Sequence, residues 1–319
     1  MSKTEKREAV AVILFCFLLA FLTALIHFRL TMENHPAGSI ISIVSSKAAP
    51  PFQYRLLSPL VAFGLWKILP FHLLHITYYL SLAILFFTYY YFYKYLKPNF
   101  SKTACLLGLF MMAASIAAMS TQRFNISTVN VVAKNVGIRY LYDLSQVLFF
   151  LGLIHFLLQR RWAPWYALFA LATLNRETTL LLLPAMFLIL RGKEGFSKAA
   201  GHTAASFLLW VGIKFALYLL FPGRLGDNKI AENLAVLSGK VGVLAYFNLL
   251  MVFGGMWIFA PLGIRRVPRD MALLLITVPC AFAVFFVFAN LFENRIYTEL
   301  SVIVLPVSLA AIVRLIGDG

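Results

Sequence analysis

Thr173-Leu174-Asn175-Arg176-Glu177-Thr178-Thr179 sets an arginine and a glutamate side by side between two apolar stretches. Upstream runs Trp165 to Leu174, rich in Ala and Leu; downstream runs Leu180 to Leu190, mostly Leu, with Pro184 inside. Trp162 to Arg191 holds only about thirty residues, whereas two membrane crossings and a turn want roughly 40. Two short helices therefore meet below the membrane surface, or flanking residues complete the span. In the first case Arg176 and Glu177 lie at depth, where a charge is costly unless it is paired or faces water, and where such a pair marks a functional site. The alternative is a tight extramembrane turn with a solvated ion pair.

The rest of the chain agrees with a bilayer setting. Of 319 residues 61% are hydrophobic and 13% charged, with mean hydropathy +0.85. A soluble domain does not have that composition, and continuous rather than alternating apolar runs exclude a closed β-barrel. The expected fold is all-α: one polytopic transmembrane bundle, residues 1–319, of about ten spans. A net charge of +16 would suggest nucleic acid in a soluble protein; here the positive charges lie mostly in loops, where topology and anionic lipid explain them. Cys16, Cys105 and Cys280 all fall in apolar runs and read as packed thiols, not as a disulfide framework or a metal site.

Charged residues before Val10 lead into a first apolar run to Phe28 with no small-residue cleavage site after it, which reads as an uncleaved span with its N-terminus in the cytoplasm. Leu56 to Leu69 is short, carries Trp66 and Lys67, and suits a helix lying at the interface. With that choice the later spans alternate consistently: His72–Tyr93, Ala104–Met119, Leu144–Leu158, the two legs around Asn175-Arg176-Glu177, Ala204–Leu220, Leu244–Ile264, Met271–Leu291 and Val302–Ile316. Every inner loop then holds basic residues, among them Lys94, Arg160, Arg191 and Arg265, and both termini are cytoplasmic. Counting Leu56–Leu69 as a span would put those clusters outside.

The same topology gathers acid–base motifs on the outer face: Glu33, Arg139-Tyr-Leu-Tyr-Asp143, Asn175-Arg176-Glu177, Glu293-Asn294-Arg295 and Glu299. An outward-facing cavity lined by both signs follows. Arginine's planar fork matches phosphate oxygens, so Arg55, Arg176 and Arg295 are anion-binding candidates; the plainer reading is that each pairs with a nearby carboxylate and staples helix ends. Glu33 is the only acid of the first outer loop and is placed to act as a base, or is simply solvated. Asp143 opens a helix, where the dipole alone favours an acid. His72 and His75 share a helix face without a third ligand in sight. Lys214, inside an apolar run, should face the bundle interior or snorkel. Phosphate-loop, dinucleotide and zinc-protease motifs are absent, which argues against an ATP-driven transporter.

Pro51-Phe52-Gln53-Tyr54-Arg55-Leu56-Leu57-Ser58-Pro59, the segment Tyr140-Leu141-Tyr142-Asp143 and Asn175-Arg176-Glu177-Thr178, with an acid in the first outer loop and interfacial helices after it, resemble the GT-C superfamily of membrane glycosyltransferases. The likeness is to poorly characterised bacterial members and covers the chain loosely. It implies a polyprenyl-phosphate-linked sugar donor, a multi-pass place in the cell inner membrane, and Glu33 as base. A second acid close to Glu33, frequent in that superfamily, is not present, and the large outer domain often found there after the last span is not expected. Arg176 and Arg295 would stabilise the departing lipid phosphate; Tyr54, Arg55, Arg139, Asp143, Asn175, Glu177, Asn294 and Glu299 would hold donor and acceptor. Arg176→Ala is then expected nearly to abolish activity without unfolding the chain. The residues identify neither the acceptor nor a cofactor; a divalent cation is compatible with the carboxylates but no ligand set indicates one. A transporter or flippase for an anionic lipid or lipid-linked sugar would use the same arginines without a base, and a non-catalytic assembly subunit would need neither.

Overall fold

A computed structural model describes residues 2–33, 39–48, 52–120, 137–221, 228–239 and 242–317. Seven of its helical stretches are long and apolar enough to cross a membrane: Glu5–Arg29, Leu73–Leu96, Lys102–Met119, Leu141–Gln159, Phe196–Leu220, Arg269–Phe288 and Asn294–Leu315. They lie within or across α1 (Lys3–Leu30), α4 (Leu73–Leu96), α5 (Lys102–Ser120), α6 (Leu141–Gln159), α9 (Phe196–Leu220), α13 (Arg269–Leu274) with α14 (Thr277–Phe288), and α15 (Ser301–Leu315). Between them come the shorter α2 (Ile40–Val44), α3 (Leu57–Ile68), α7 (Trp162–Asn175), α8 (Leu183–Glu194), α10 (Ile230–Ser238), α11 (Gly242–Leu250) and α12 (Ala260–Gly263). Among the described residues the only strands are a parallel pair of three residues each, β1 (Thr31–Glu33) with β2 (Gly137–Arg139).

The core is built on α6 and α15. Every residue from Ser301 to Ala311 is buried, while α9, at the edge against α8, exposes Leu208, Leu219 and Leu220. Apolar surface on that scale suits a bilayer rather than water. α3 has 12 residues, about 18 Å of helix, too short for a hydrocarbon core of roughly 30 Å.

Two of the expected spans are interrupted, the leg starting near Leu180 and Leu244–Ile264, whereas the leg ending at Asn175 is the continuous helix α7. The leg ending at Asn175 and the leg starting near Leu180 are joined by a 3-10 segment, Glu177–Leu182, which hands over to α8 with Pro184 in its first turn. The expected Leu244–Ile264 span breaks after α11. Phe253, Gly254 and Gly255 have φ of 56°, 66° and 78°, a left-handed run that ends the helix and that the two glycines adopt without a Cβ clash.

After that break α12 packs directly on α15. A Cβ at Gly263 would stand 1.8 Å from the carbonyl oxygen of Val307, so the two backbones touch there through the missing side chain. Gly263→Ala must push them apart, and overpacking of this kind should cost at least about 2 kcal/mol. Thermal unfolding in detergent reads it; a midpoint equal to that of the unaltered chain would refute the contact.

Candidate functional site

The two legs around Arg176 fold into a corner because Arg176 itself is extended (φ −161°, ψ 143°): it ends α7 and precedes the 3-10 turn. Glu293 (φ −91°, ψ 92°) does the same ahead of a second 3-10 segment, Asn294–Leu300, which leads into α15. Irregular backbone at membrane depth survives only inside protein or against a watery cavity. Here the two segments meet and carry the charges together.

Arg176 is the centre. Its Nη1 lies 2.9 Å from Glu299 Oε2 and 3.3 Å from Asp143 Oδ1. Arg295 Nη1 reaches the other oxygen of Asp143 at 3.1 Å, and its Nε contacts Glu293. Arg55 Nη2 sits 3.0 Å from Glu177 Oε1, with Lys214 Nζ 3.5 Å from Oε2 of the same carboxylate. The cluster thus divides in two. Arg55 and Lys214 share one carboxylate, leaving a net positive half; Arg176 and Arg295 face Asp143, Glu293 and Glu299, leaving a net negative half.

Aromatic rings frame the junction. Tyr140 stacks on Tyr142 at 4.9 Å and on Phe52 at 5.4 Å; the Arg295 guanidinium lies 4.3 Å from the Tyr140 ring and that of Arg55 4.9 Å from the Tyr142 ring. Burial pushes the Tyr140 phenol up to about 12, with Arg295 opposing. For Glu177, burial raises the carboxyl, but Arg55, Lys214 and Arg176 outweigh it and hold it well below the usual carboxylate range. A depressed carboxylate contributes stability above its unfolded value, about 4.3, and loses that contribution only as pH falls through the lower folded value. The Glu177 carboxylate should therefore add no pH dependence to thermal stability between about pH 6 and 7. A Glu177→Gln variant whose stability difference from the parent changes across that window would contradict this.

Beneath the charges, Asn175 ties α7 to α6 and α3. Its Nδ2 donates to Tyr142 O and Gln146 Oε1, both at 2.9 Å, and its oxygen accepts from the Ser58 and Ser145 hydroxyls. All the bonding capacity of this amide is met within the chain, and it is fully buried.

Compared with known families, curated proteins and solved structures, the chain matches none.

Of the residues singled out in the sequence, Arg55, Asp143, Asn175, Arg176, Glu177, Arg295 and Glu299 come together in this network. Tyr54 stands at its edge, its ring 5.7 Å from Lys214 Nζ, and Asn294 lies buried near Asn248 at 3.4 Å. The side chains of Glu33 and Arg139 lie outside the described residues, but their backbones are register partners in the strand pair, one residue before Tyr140. Lys214 joins the network although sequence reasoning did not enlist it; a lone lysine inside an apolar run was the available signal. Ser58, Tyr140 and Tyr142 stand in the motifs quoted from the sequence but were given no role there, and Gln146 gave no signal. Among the described residues no three His, Cys, Asp or Glu side chains group to hold a metal ion. His72 serves instead as the helix cap of α4, its Nδ1 accepting from Leu74 N at 3.2 Å.

Proposed function

We propose that this chain is a membrane glycosyltransferase that takes a sugar from a polyprenyl-phosphate-linked donor at the outer face of the cell inner membrane. The observation that carries the reading is convergence: charged motifs far apart in sequence form one polar cluster, beside a strand pair that sets Glu33 against Arg139. In this reading α7 and the leg through α8 are two short crossings, and Gly242–Gly263 is a broken one. That makes ten crossings, with α3 at the interface and both termini cytoplasmic. The ion pairs Lys102–Glu8, at 3.1 Å, Arg160–Glu194, at 3.4 Å, and Lys193–Asp270 support a common side for the basic corners of the bundle.

Glu33 would take the proton of an acceptor hydroxyl. That oxygen attacks the anomeric carbon, and the bond from this carbon to the phosphate oxygen breaks with its electron pair going to the departing lipid phosphate. Arg55 and Arg295, with side chains 9% and 15% exposed, can meet that charge; Arg176, at 2% and held by two carboxylates, is better suited to position the cluster than to touch a ligand. Any divalent cation belongs to this proposal only as an addition. Release of lipid phosphate from a panel of polyprenyl-phosphate sugars by the purified chain tests the reading, and tight binding without release across candidate acceptors would overturn it.

The second reading, a transporter or flippase for an anionic lipid, is favoured by the interrupted helices at Glu177–Leu182, Phe253–Gly255 and Asn294–Leu300. Broken helices at depth are how transporters build substrate sites.

A further inference from the structure

The seam between α8 and α9 opens to the outside as a groove of about 550 Å³, walled by Leu180, Leu183 and Phe187 on one side and Ala200, Ala204 and Phe207 on the other. On α9 these positions form one stripe, and helical spacing carries the same stripe on to Trp210 and Lys214. The Trp210 indole N–H donates to Glu177 O at 3.0 Å, and Lys214 reaches the Glu177 carboxylate. On the facing wall, Leu180 follows Glu177 by three residues in a 3-10 turn, a spacing at which side chains eclipse. Both walls therefore run into the positive half of the cluster. One carboxylate there meets two cations, and the second of them, Lys214, sits on the most lipid-exposed of the long helices, a costly position without a counter-charge of its own.

We propose that this groove holds the hydrocarbon chain of a lipid phosphate, with its anionic head received by Lys214 and Arg55. The proposal rests on the lipid-linked donor of the preceding section and adds where the lipid lies and a head-group residue, Lys214. A free anion needs no apolar trough and a neutral lipid needs no surplus cation; one chain with one anionic head uses both. Ala204 is exposed, so tryptophan there fills the groove without entering the core.

Binding of radiolabelled undecaprenyl phosphate to the full chain in nanodiscs provides the test, with thermal melts to check folding. Ala204→Trp and Lys214→Gln should each weaken binding about tenfold, the size expected for losing a charged contact or a chain berth. Leu14→Trp, on the exposed face of α1, should leave it unchanged. Unchanged binding in both groove variants would overturn this placement while leaving the lipid-donor reading intact. No binding by the parent chain would overturn both. Competition by inorganic phosphate as strong as that by the unlabelled lipid would reduce the site to a free-anion site and also overturn the groove.

Discussion

Arg176→Ala should lose about 3–5 kcal/mol of stability, because it leaves the Asp143 and Glu299 carboxylates buried without their shared cation. Glu299 is fully enclosed and Asp143 is 7% exposed, so water cannot replace the guanidinium. This reverses the expectation formed from the sequence, in which the same change removed activity and spared the fold. The reason is burial: a side chain that reads as an anion hook in a list of motifs is, in three dimensions, a brace between α6, α7 and the approach to α15. Removing one charge of each sign should behave differently. In Arg176→Met/Glu299→Gln the remaining carboxylate, Asp143, keeps Arg295 at 3.1 Å, and most of the lost stability should return. Detergent melts of both single variants and the double variant measure this coupling. An Arg176→Ala chain that melts like its parent but no longer turns over would restore the role of direct phosphate contact.

Glu33→Gln should lower lipid-phosphate release by about 10² to 10⁴, the usual worth of a general base, while donor binding holds. Glutamine keeps the size and polarity of the side chain and removes only the ability to accept a proton. The expectation rests on the parallel strand pair: β1 brings Glu33 level with Arg139, and β2 continues within four residues to Asp143. It also separates the two functional readings. Transport of an anionic lipid requires the cations but no base, so undiminished function in Glu33→Gln, with loss in Arg55→Gln, would favour the transporter.

Much of this architecture was legible in the chain before any tertiary contact. Long apolar runs, their basic flanks and the shortness of Leu56–Leu69 are local properties, since a helix satisfies its own backbone and hydropathy is read segment by segment. The corner at Arg176 was legible for the same reason: two legs with too few residues for two ordinary crossings. The unwinding at Phe253–Gly255 was signalled only by a Gly-Gly pair, and glycine is also frequent inside ordinary membrane helices.

What the sequence determined by itself is the helical membrane character and the set of charges that interrupt or flank its apolar runs. Which charge meets which was decided by tertiary structure alone. Arg176 finds Glu299 123 positions away, Arg55 finds Glu177 122 away and Arg295 finds Asp143 152 away. No periodicity encodes such partners. They are selected by how α3, α6, α7, α9 and α15 pack, and by the requirement that every ion left in a low-dielectric interior be neutralised by a neighbour.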